Sequence, residues 1–382
     1  MSAASNTLEE GTTALPEANR LGDFLHPRQT INLIGHASAE EALLSAFASN
    51  RLHHGWLISG PEGIGKATLA YRFARFLLSP KHERDPSGKT LVIGNDTPTF
   101  FQITAQSHPN LLVLRRQWSS KTERFSQDIT VGDVRGLRSF LGNTAANAGW
   151  RAVIVDRADD LNANAANALL KALEEPPPRC VFLLVSTAPG RLPVTIRSRC
   201  RPLMLNPLQN QDLLKAVRAA LESVNDESAS ERQLADCAAL AQGSVGEALQ
   251  LISHNGLELY EALFSALGAL PDVDYAALHK FADGLTARGA EARYELALTL
   301  LESLMARMML QAATGRGAIG DEADLAEGLM RAGALARWTE LWETIQRNRA
   351  DMAALNLDKK SFVLGTFFQL EETARLGIQR GA

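Results

Sequence analysis

The chain has 382 residues, of which 46% are apolar and 21% charged, and its formal net charge is −4. This length predicts two or three domains, and the composition is that of a globular protein with hydrophobic cores. The slightly acidic balance excludes a basic field over the whole surface, which is a common sign of nucleic-acid binding, and leaves a local basic patch open.

We expect a reduced, cytoplasmic protein with neither a secretion signal nor a membrane span. Residues 1–25 are rich in Ser, Ala, Thr and Glu and lack the basic and apolar regions of a signal peptide, which predicts a flexible tail. Cys180, Cys200 and Cys237 fit neither a paired disulfide framework nor a four-ligand zinc site. A membrane span would need about 18 apolar residues in a row, and the sequence has no such stretch.

The first part of the chain alternates short apolar runs with helical patterns. The predicted strands are Trp56–Ser59, Leu111–Leu114, Ala152–Val155 and Val181–Val185, and helices are predicted after the loop that follows Ser59, over Val131–Leu141 and over Ala163–Glu175. Strands that are apolar throughout are typical of a parallel sheet covered by helices on both faces. The sequence therefore predicts an α/β domain over residues 26–206, with a polar connection or insertion over residues 80–110.

The strand pattern disappears beyond Pro207. Apolar residues then recur at helical spacing, for example at Leu214, Val217 and Leu221. We expect a small helical domain over residues 207–256 and a larger all-α domain over residues 257–382.

The stretch Gly60–Thr68, which reads GPEGIGKAT, has the spacing of a phosphate-binding loop. Gly60, Gly63 and Gly65 allow backbone N–H groups to turn towards a phosphate, and Lys66 can reach the β- and γ-phosphates. A strand before the loop and a helix after it complete the pattern of a P-loop.

One residue of this loop departs from the pattern. The position after Lys66 normally carries Ser or Thr, whose hydroxyl ligates Mg²⁺, and this chain has Ala67. Thr68 lies about 100° further round the helix and does not simply replace that hydroxyl. We therefore expect a loop that holds ATP or ADP weakly or without hydrolysing it, and a poor Mg²⁺ site.

Asp156 ends the third predicted strand, where a second nucleotide motif would place the acid that holds Mg²⁺. An active hydrolase of this kind usually has Glu next, to orient the attacking water. Here the next residue is Arg157, which accepts no proton and cannot act as a base. The alternative is that Asp156 only caps its strand.

Three arginines alternate in Arg197-Ser198-Arg199-Cys200-Arg201. They could form a solvated basic face. They could also include an arginine finger, which neutralises charge on a phosphoryl group bound to a neighbouring subunit.

The stretch Leu161–Cys200 resembles the signature of the bacterial clamp-loader ATPases, a branch of the AAA+ proteins. The resemblance covers the P-loop, the motif at Asp156, the LLKALEEPP helix end and Ser198-Arg199-Cys200, and it extends over about residues 30–205. It implies a P-loop AAA+ parallel-sheet domain, followed by a small helical lid domain and an all-α C-terminal oligomerisation (collar) domain.

Three departures distinguish this chain from the motor subunits of that family. A motor subunit would carry Thr in place of Ala67, Glu in place of Arg157 and, in its sensor-2 pattern Gly-Ser-x-Arg, Arg in place of Gly246. Ser198-Arg199-Cys200 is intact. The resemblance thus implies a companion subunit that hydrolyses little or no ATP itself and lends Arg199 to ATP on the adjacent motor subunit.

The resemblance also implies partners. The direct partners are the motor subunits (gamma/tau) and the delta subunit, and the sliding clamp and primer–template DNA are reached through the complex. Membership of this complex would group the chain with DNA-directed DNA polymerase. Many family members have a four-cysteine zinc module between the P-loop and the second motif. In this chain residues 80–110 contain no Cys, so we expect no zinc.

Two other readings of the loop stay open. The chain could be a self-sufficient ATPase that uses Thr68 for Mg²⁺ and another carboxylate, Asp159 or Asp160. It could also be a scaffold that binds no nucleotide. For His53-His54, packing or a position near the adenine is favoured over a catalytic role. Ser186-Thr187 ends the fourth predicted strand, where the family keeps its sensor-1 polar residue, and a structural role is at least as strongly indicated there.

Overall fold

The computed structural model describes residues 16–142, 149–330, 334–355 and 357–379. Its strands are β1 (Gly55–Ser59), β2 (Leu111–Leu114), β3 (Trp118–Ser119), β4 (Arg124–Phe125), β5 (Arg151–Asp156), β6 (Cys180–Ser186) and β7 (Arg201–Met204). Five of these strands form one parallel sheet in the order β2-β5-β6-β1-β7, and β3 and β4 form a separate antiparallel hairpin.

The four predicted strands are confirmed, each within two residues of its predicted ends. Every residue of β1, β5 and β6 is buried, which explains why these strands are apolar throughout. Because β1, β5 and β6 run parallel as neighbours, their carboxyl ends bring Ser59, Asp156 and Ser186 to one edge of the sheet.

The sequence did not predict β7. This strand pairs with β1 at the edge of the sheet, and only Leu203 of its four residues is buried. An edge strand needs hydrogen bonds on one side only and therefore tolerates Pro202. Its Arg and Pro residues hide the alternation that normally indicates a strand.

The helices that accompany the sheet are α1 (Ala37–Ala48), α2 (Lys66–Leu78), α3 (Pro98–Thr104), α4 (Val131–Gly142), α5 (Ala163–Glu174), α6 (Val194–Arg197) and α7 (Asn210–Glu222). The core between α4, α5 and the sheet is built from aliphatic side chains such as Val153, Leu169 and Leu184, none of which is exposed. The predicted α/β architecture is therefore observed.

Two segments are more structured than the sequence predicted. The tail prediction extended too far, because Ala18 and Phe24 are buried and Glu17 forms ion pairs with Arg28 and Arg115; residues 1–15 of that tail lie outside the described part of the chain. The polar insertion contains α3, and its Leu91, Ile93 and Ile103 are buried.

The rest of the described chain is helical. It contains α8 (Glu231–Leu240), α9 (Val245–Ser253), α10 (Gly256–Gly268), α11 (Tyr275–Thr286), α12 (Glu291–Thr314), α13 (Glu322–Leu329), α14 (Leu335–Leu355) and α15 (Lys359–Gln379). One compact unit runs to Asp226 and includes Ser244–Gly246, and the other contains Glu227–Gly243 and the chain from Glu247 onwards. The division of the helical part at residue 256 stays a prediction.

Helix α12 is the centre of the second unit. It packs against α10, α11, α13 and α14, and Leu301, Leu304 and Met305 are buried on it. By length and composition alone α12 could cross a membrane, but half of its most apolar stretch is buried inside the protein and it carries the buried Arg307. These are features of a core helix.

Candidate functional site

The glycine loop connects β1 to α2, as the P-loop pattern predicts. Gly63 and Gly65 have positive φ angles of 73° and 103°, which glycine adopts without the penalty of a Cβ. Lys66 begins α2, is only 5% exposed and donates a hydrogen bond from its Nζ to the Pro61 carbonyl. Burial lowers the pKa of Lys66 to about 8, although Glu62 and Asp156 oppose that shift.

The Mg²⁺ donor set at this loop is incomplete. Asp156 ends β5 and is 4% exposed, and burial raises its pKa to about 6 against the opposing effects of Asn19, Arg157 and Lys66. Mg²⁺ at a P-loop is bound by the loop hydroxyl, a carboxylate, waters and phosphate oxygens, and Ala67 supplies no hydroxyl. One of the side-chain ligands that a P-loop contributes to catalytic Mg²⁺ is therefore missing.

Arg157 bridges the loop and the end of β5. Its Nη1 lies 3.2 Å from Glu62 Oε1, and its Nη2 lies 3.5 Å from Asp160 Oδ1. A guanidinium in this position binds carboxylates and cannot accept a proton from water. The residue that follows Asp156 thus pairs with a carboxylate of the glycine loop.

Asp159 and Asp160 are both engaged in structural contacts. Asp159 accepts hydrogen bonds from the Ser186 hydroxyl at 2.6 Å and from the Thr187 backbone N–H at 2.6 Å. Burial opposes ionisation of Asp159, but these hydrogen bonds outweigh it and lower its pKa. Asp160 forms a second ion pair, at 3.1 Å, with Arg116. The sequence analysis named these residues but missed that Asp159 anchors Ser186-Thr187.

The segment Ser244–Gly246 lies directly on the P-loop. The Gly246 N–H donates to the Gly63 carbonyl at 3.0 Å, and the Ser244 hydroxyl donates to the Glu62 carbonyl at 2.9 Å. A Cβ placed on Gly246 would lie 2.9 Å from the Gly63 Cα, closer than real Cβ contacts. Glycine at the sensor-2 position therefore permits backbone contact where the motor subunits of the resemblance carry Arg.

These contacts together describe a loop that is closed on its own chain. Lys66 binds Pro61, Arg157 binds Glu62, and Gly246 binds Gly63. Each of these contacts is made by a residue at a position that the P-loop motifs single out.

Arg199 lies at the other end of β1 from this loop. An ideal Cβ on Gly55, the first residue of β1, would be 3.1 Å from the Arg199 carbonyl oxygen and 3.1 Å from Cys200 Sγ. The P-loop begins after Ser59, at the opposite end of that strand. At about 3.3 Å per residue, the strand separates the two by roughly 15 Å.

Two acceptors hold the Arg199 side chain at the surface. Its Nη2 is 2.8 Å from Glu174 Oε1, its Nη1 donates to the Thr195 carbonyl at 3.0 Å, and the side chain is 36% exposed. Val194, in the short helix α6 that precedes Arg199, is 67% exposed. A cation close to an exposed apolar side chain is a common feature of protein interfaces.

His53 and His54 have a packing role. They stack on each other at 4.4 Å immediately before β1, and Trp56 Nε1 donates to the His53 carbonyl. They lie at the Arg199 end of β1, away from the P-loop.

The fold and site together define a P-loop α/β protein in which Arg199 lies at the opposite end of β1 from the glycine loop. A sequence profile described as "DNA polymerase III, delta subunit" matches residues 35–209. The delta' subunit of DNA polymerase III from Escherichia coli is 30% identical over 273 residues, which are 70% of this chain and 74% of that protein. This chain belongs to the delta' family of DNA polymerase III subunits.

The chain is also similar to several other proteins. The delta' subunit from Pseudomonas aeruginosa is 37% identical over 162 residues, which are 42% of this chain and 46% of that protein. The gamma subunit from Buchnera aphidicola of Schizaphis graminum is 27% identical over 60% of this chain and 58% of that protein. The chain thus spans about half the length of these two relatives. Among solved structures, a gamma subunit-related protein from Thermotoga maritima aligns with 87% of this chain and with 99% of its own chain, at 18% identity and a TM-score of 0.38.

Proposed function

We propose that this chain is the clamp-loader subunit that supplies an arginine finger, Arg199, to ATP bound on a neighbouring motor subunit. The observation that carries the proposal is the position of Arg199. It lies at the amino end of β1, whereas the chain's own loop follows the carboxyl end. An arginine placed this way does not serve the P-loop of its own chain and is available to another subunit.

In this role the chain does not itself hydrolyse ATP. The hydroxyl missing at Ala67, the guanidinium of Arg157 in place of a water-orienting acid, and the backbone contact of Gly246 support it. Each change removes a different requirement for phosphoryl transfer, namely the metal, the positioned water and the cation opposite the γ-phosphate.

The chain acts as a stator in this account. Its partners are the gamma/tau motor subunits and the delta subunit, and it reaches the sliding clamp and primer–template DNA through the complex. The helices of the second unit form part of a shared collar. ATP binding next to Arg199 helps to open the clamp, and hydrolysis on primer–template DNA releases it.

The test is reconstitution of the complex with Arg199→Ala and, as a matched control, with Arg197→Ala. Arg197 is a neighbouring exposed arginine on the same surface segment. At the site that Arg199 completes, loss of the finger is expected to slow hydrolysis by about 10³-fold or more. DNA-stimulated ATP hydrolysis should fall with Arg199→Ala and stay unchanged with Arg197→Ala. Rates within about twofold of each other for wild type and Arg199→Ala would contradict the trans role.

ATP turnover by the isolated chain tests the competing hypothesis of a self-sufficient ATPase. That hypothesis needs a free carboxylate, and the structure engages Asp159 with Ser186 and Asp160 with Arg116. We expect no turnover above that of Lys66→Ala. Turnover that Lys66→Ala abolishes would favour the self-sufficient enzyme.

A further inference from the structure

Arg199 is held by a carboxylate whose position is itself fixed by buried packing. Glu174 is the last residue of α5, and Leu173 before it is 1% exposed. Cys200, directly after Arg199, is 7% exposed. The two buried neighbours meet at Gly55, where an ideal Cβ would lie 3.4 Å from Leu173 Cδ2 and 3.1 Å from Cys200 Sγ. The end of α5 and the start of β7 are therefore placed side by side by the core.

This packing sets Glu174 and Arg199 opposite each other. The Arg199 guanidinium has two separate acceptors, Glu174 Oε1 at 2.8 Å and the Thr195 carbonyl at 3.0 Å. A guanidinium carries five N–H donors in a rigid plane, so two contacts in different directions fix the orientation of that plane and leave other donors for a ligand. Without the carboxylate, one contact remains and the long side chain regains rotamer freedom.

We propose that Glu174 is a positioning residue for Arg199, which orients the guanidinium before a neighbouring nucleotide arrives. The inference rests on the proposed function of Arg199. Glu174 does not touch the nucleotide and acts through Arg199. Its contribution is to the rate of the chemical step, because a correctly oriented finger stabilises charge only in the transition state.

The exposure of the Glu174–Arg199 ion pair limits how much Glu174 contributes to the rate of ATP hydrolysis. The Arg199 and Glu174 side chains are 36% and 43% exposed, and such ion pairs are weak because water competes for both groups. Loss of an exposed ion pair of this strength changes the rate of the chemical step by about twofold to fivefold. Replacement of Glu174 should therefore cost much less than replacement of Arg199.

The experiment measures kcat and KM for ATP in the reconstituted complex with Glu174→Ala, Glu174→Gln, Arg199→Ala and the double variant Glu174→Ala/Arg199→Ala. Glu175→Ala is the matched control, because Glu175 is the exposed neighbouring acid. We expect Glu174→Ala to lower kcat by about twofold to fivefold with KM unchanged. Glu174→Gln keeps an oxygen acceptor and should recover part of the loss, and Glu175→Ala should match wild type.

The double variant separates positioning from a structural role. If Glu174 acts through Arg199, the double variant is no slower than Arg199→Ala alone. An additive further loss, an unchanged kcat for Glu174→Ala, or a raised kcat would each overturn the positioning role while leaving the trans finger intact. An unchanged rate for Arg199→Ala would instead refute the proposed function on which this inference rests.

Discussion

Replacement of Gly246 by Ala tests whether Ser244–Gly246 lies on the P-loop as described. The new Cβ would lie 2.9 Å from the Gly63 Cα and 3.6 Å from the Gly63 carbonyl oxygen. Both atoms belong to the backbone, which cannot rotate away as a flexible side chain can. Relief therefore requires that the two segments separate, which lengthens the 3.0 Å hydrogen bond from Gly246 to Gly63.

The expected cost follows from two opposing effects. Overpacking of a closely fitted site costs about 1–3 kcal/mol. Ala at the second position of α9 returns about 0.5–1 kcal/mol through its higher helix propensity and its lower entropy in the unfolded chain. The net expectation for Gly246→Ala is a loss of about 0–2.5 kcal/mol in the free energy of unfolding, from the difference of these terms.

Gly136→Ala is the matched control. Gly136 lies within α4 of the same unit, and a Cβ there would meet no atom within 4 Å. This substitution should therefore raise the stability by about 0.5–1 kcal/mol. The two Gly→Ala changes should thus have opposite signs.

Urea unfolding gives the stability of both variants, and hydrogen–deuterium exchange of the loop peptide gives the location of the change. Exchange over Gly63–Lys66 should rise for Gly246→Ala and stay unchanged for Gly136→Ala. If Gly246→Ala is as stable as Gly136→Ala and its loop exchanges at the wild-type rate, the described contact between Gly246 and Gly63 is refuted.

Three further predictions concern buried or half-buried charged residues. Arg307→Met should lower the free energy of unfolding, measured in urea, by about 3–5 kcal/mol, because Glu322 is fully buried and would lose its bidentate partner. The double change Arg307→Met/Glu322→Leu should restore most of that loss. Arg84→Met should cost about 2 kcal/mol and raise hydrogen exchange over residues 81–94, because Arg84 lies over Phe76 and donates to the Ser79 carbonyl. Burial raises the pKa of Asp156 from 3.8 to about 6 in the folded protein, so the preference for its protonated form stabilises the fold below pH about 4 and is lost as the pH rises through about 6. Urea unfolding across this range should therefore show wild type losing roughly 3 kcal/mol relative to Asp156→Asn, and a pH-independent difference would contradict the buried position of Asp156.

The central sheet could be predicted because its strands carry their own signal. β1, β5 and β6 are buried on both faces, so that each reads as an apolar run followed by a loop or a charged residue. The glycine loop was equally visible, because its spacing is local. The edge strand β7 was not, since Arg201 and Pro202 are tolerated only where one side of a strand faces solvent.

Packing of polar segments was the other feature that the sequence concealed. Residues 16–25 read as a tail, yet Glu17 pairs with Arg28 and with Arg115, which lies 98 positions away. Partners this distant leave no periodic pattern. The packing of the polar insertion was not visible in the sequence for the same reason, since the contact of the Arg84 guanidinium with the Phe76 ring depends on the folded geometry.

Site residues were predictable where a motif names them, and their partners were not. Lys66 and Asp156 follow from motif spacing, and Arg199 follows from the family resemblance. The contact of Gly246 with Gly63 and the pair between Glu174 and Arg199 join residues far apart in the chain. Such contacts depend on the fold and leave no local pattern in the sequence.

The most direct test of the account compares Lys66→Ala with Arg199→Ala in the same reconstituted complex. The account predicts that DNA-stimulated ATP hydrolysis is unchanged with Lys66→Ala, because this chain's own loop performs no chemistry, and falls with Arg199→Ala, because the neighbour's site loses its finger. The opposite pattern, a loss with Lys66→Ala and wild-type hydrolysis with Arg199→Ala, would contradict it.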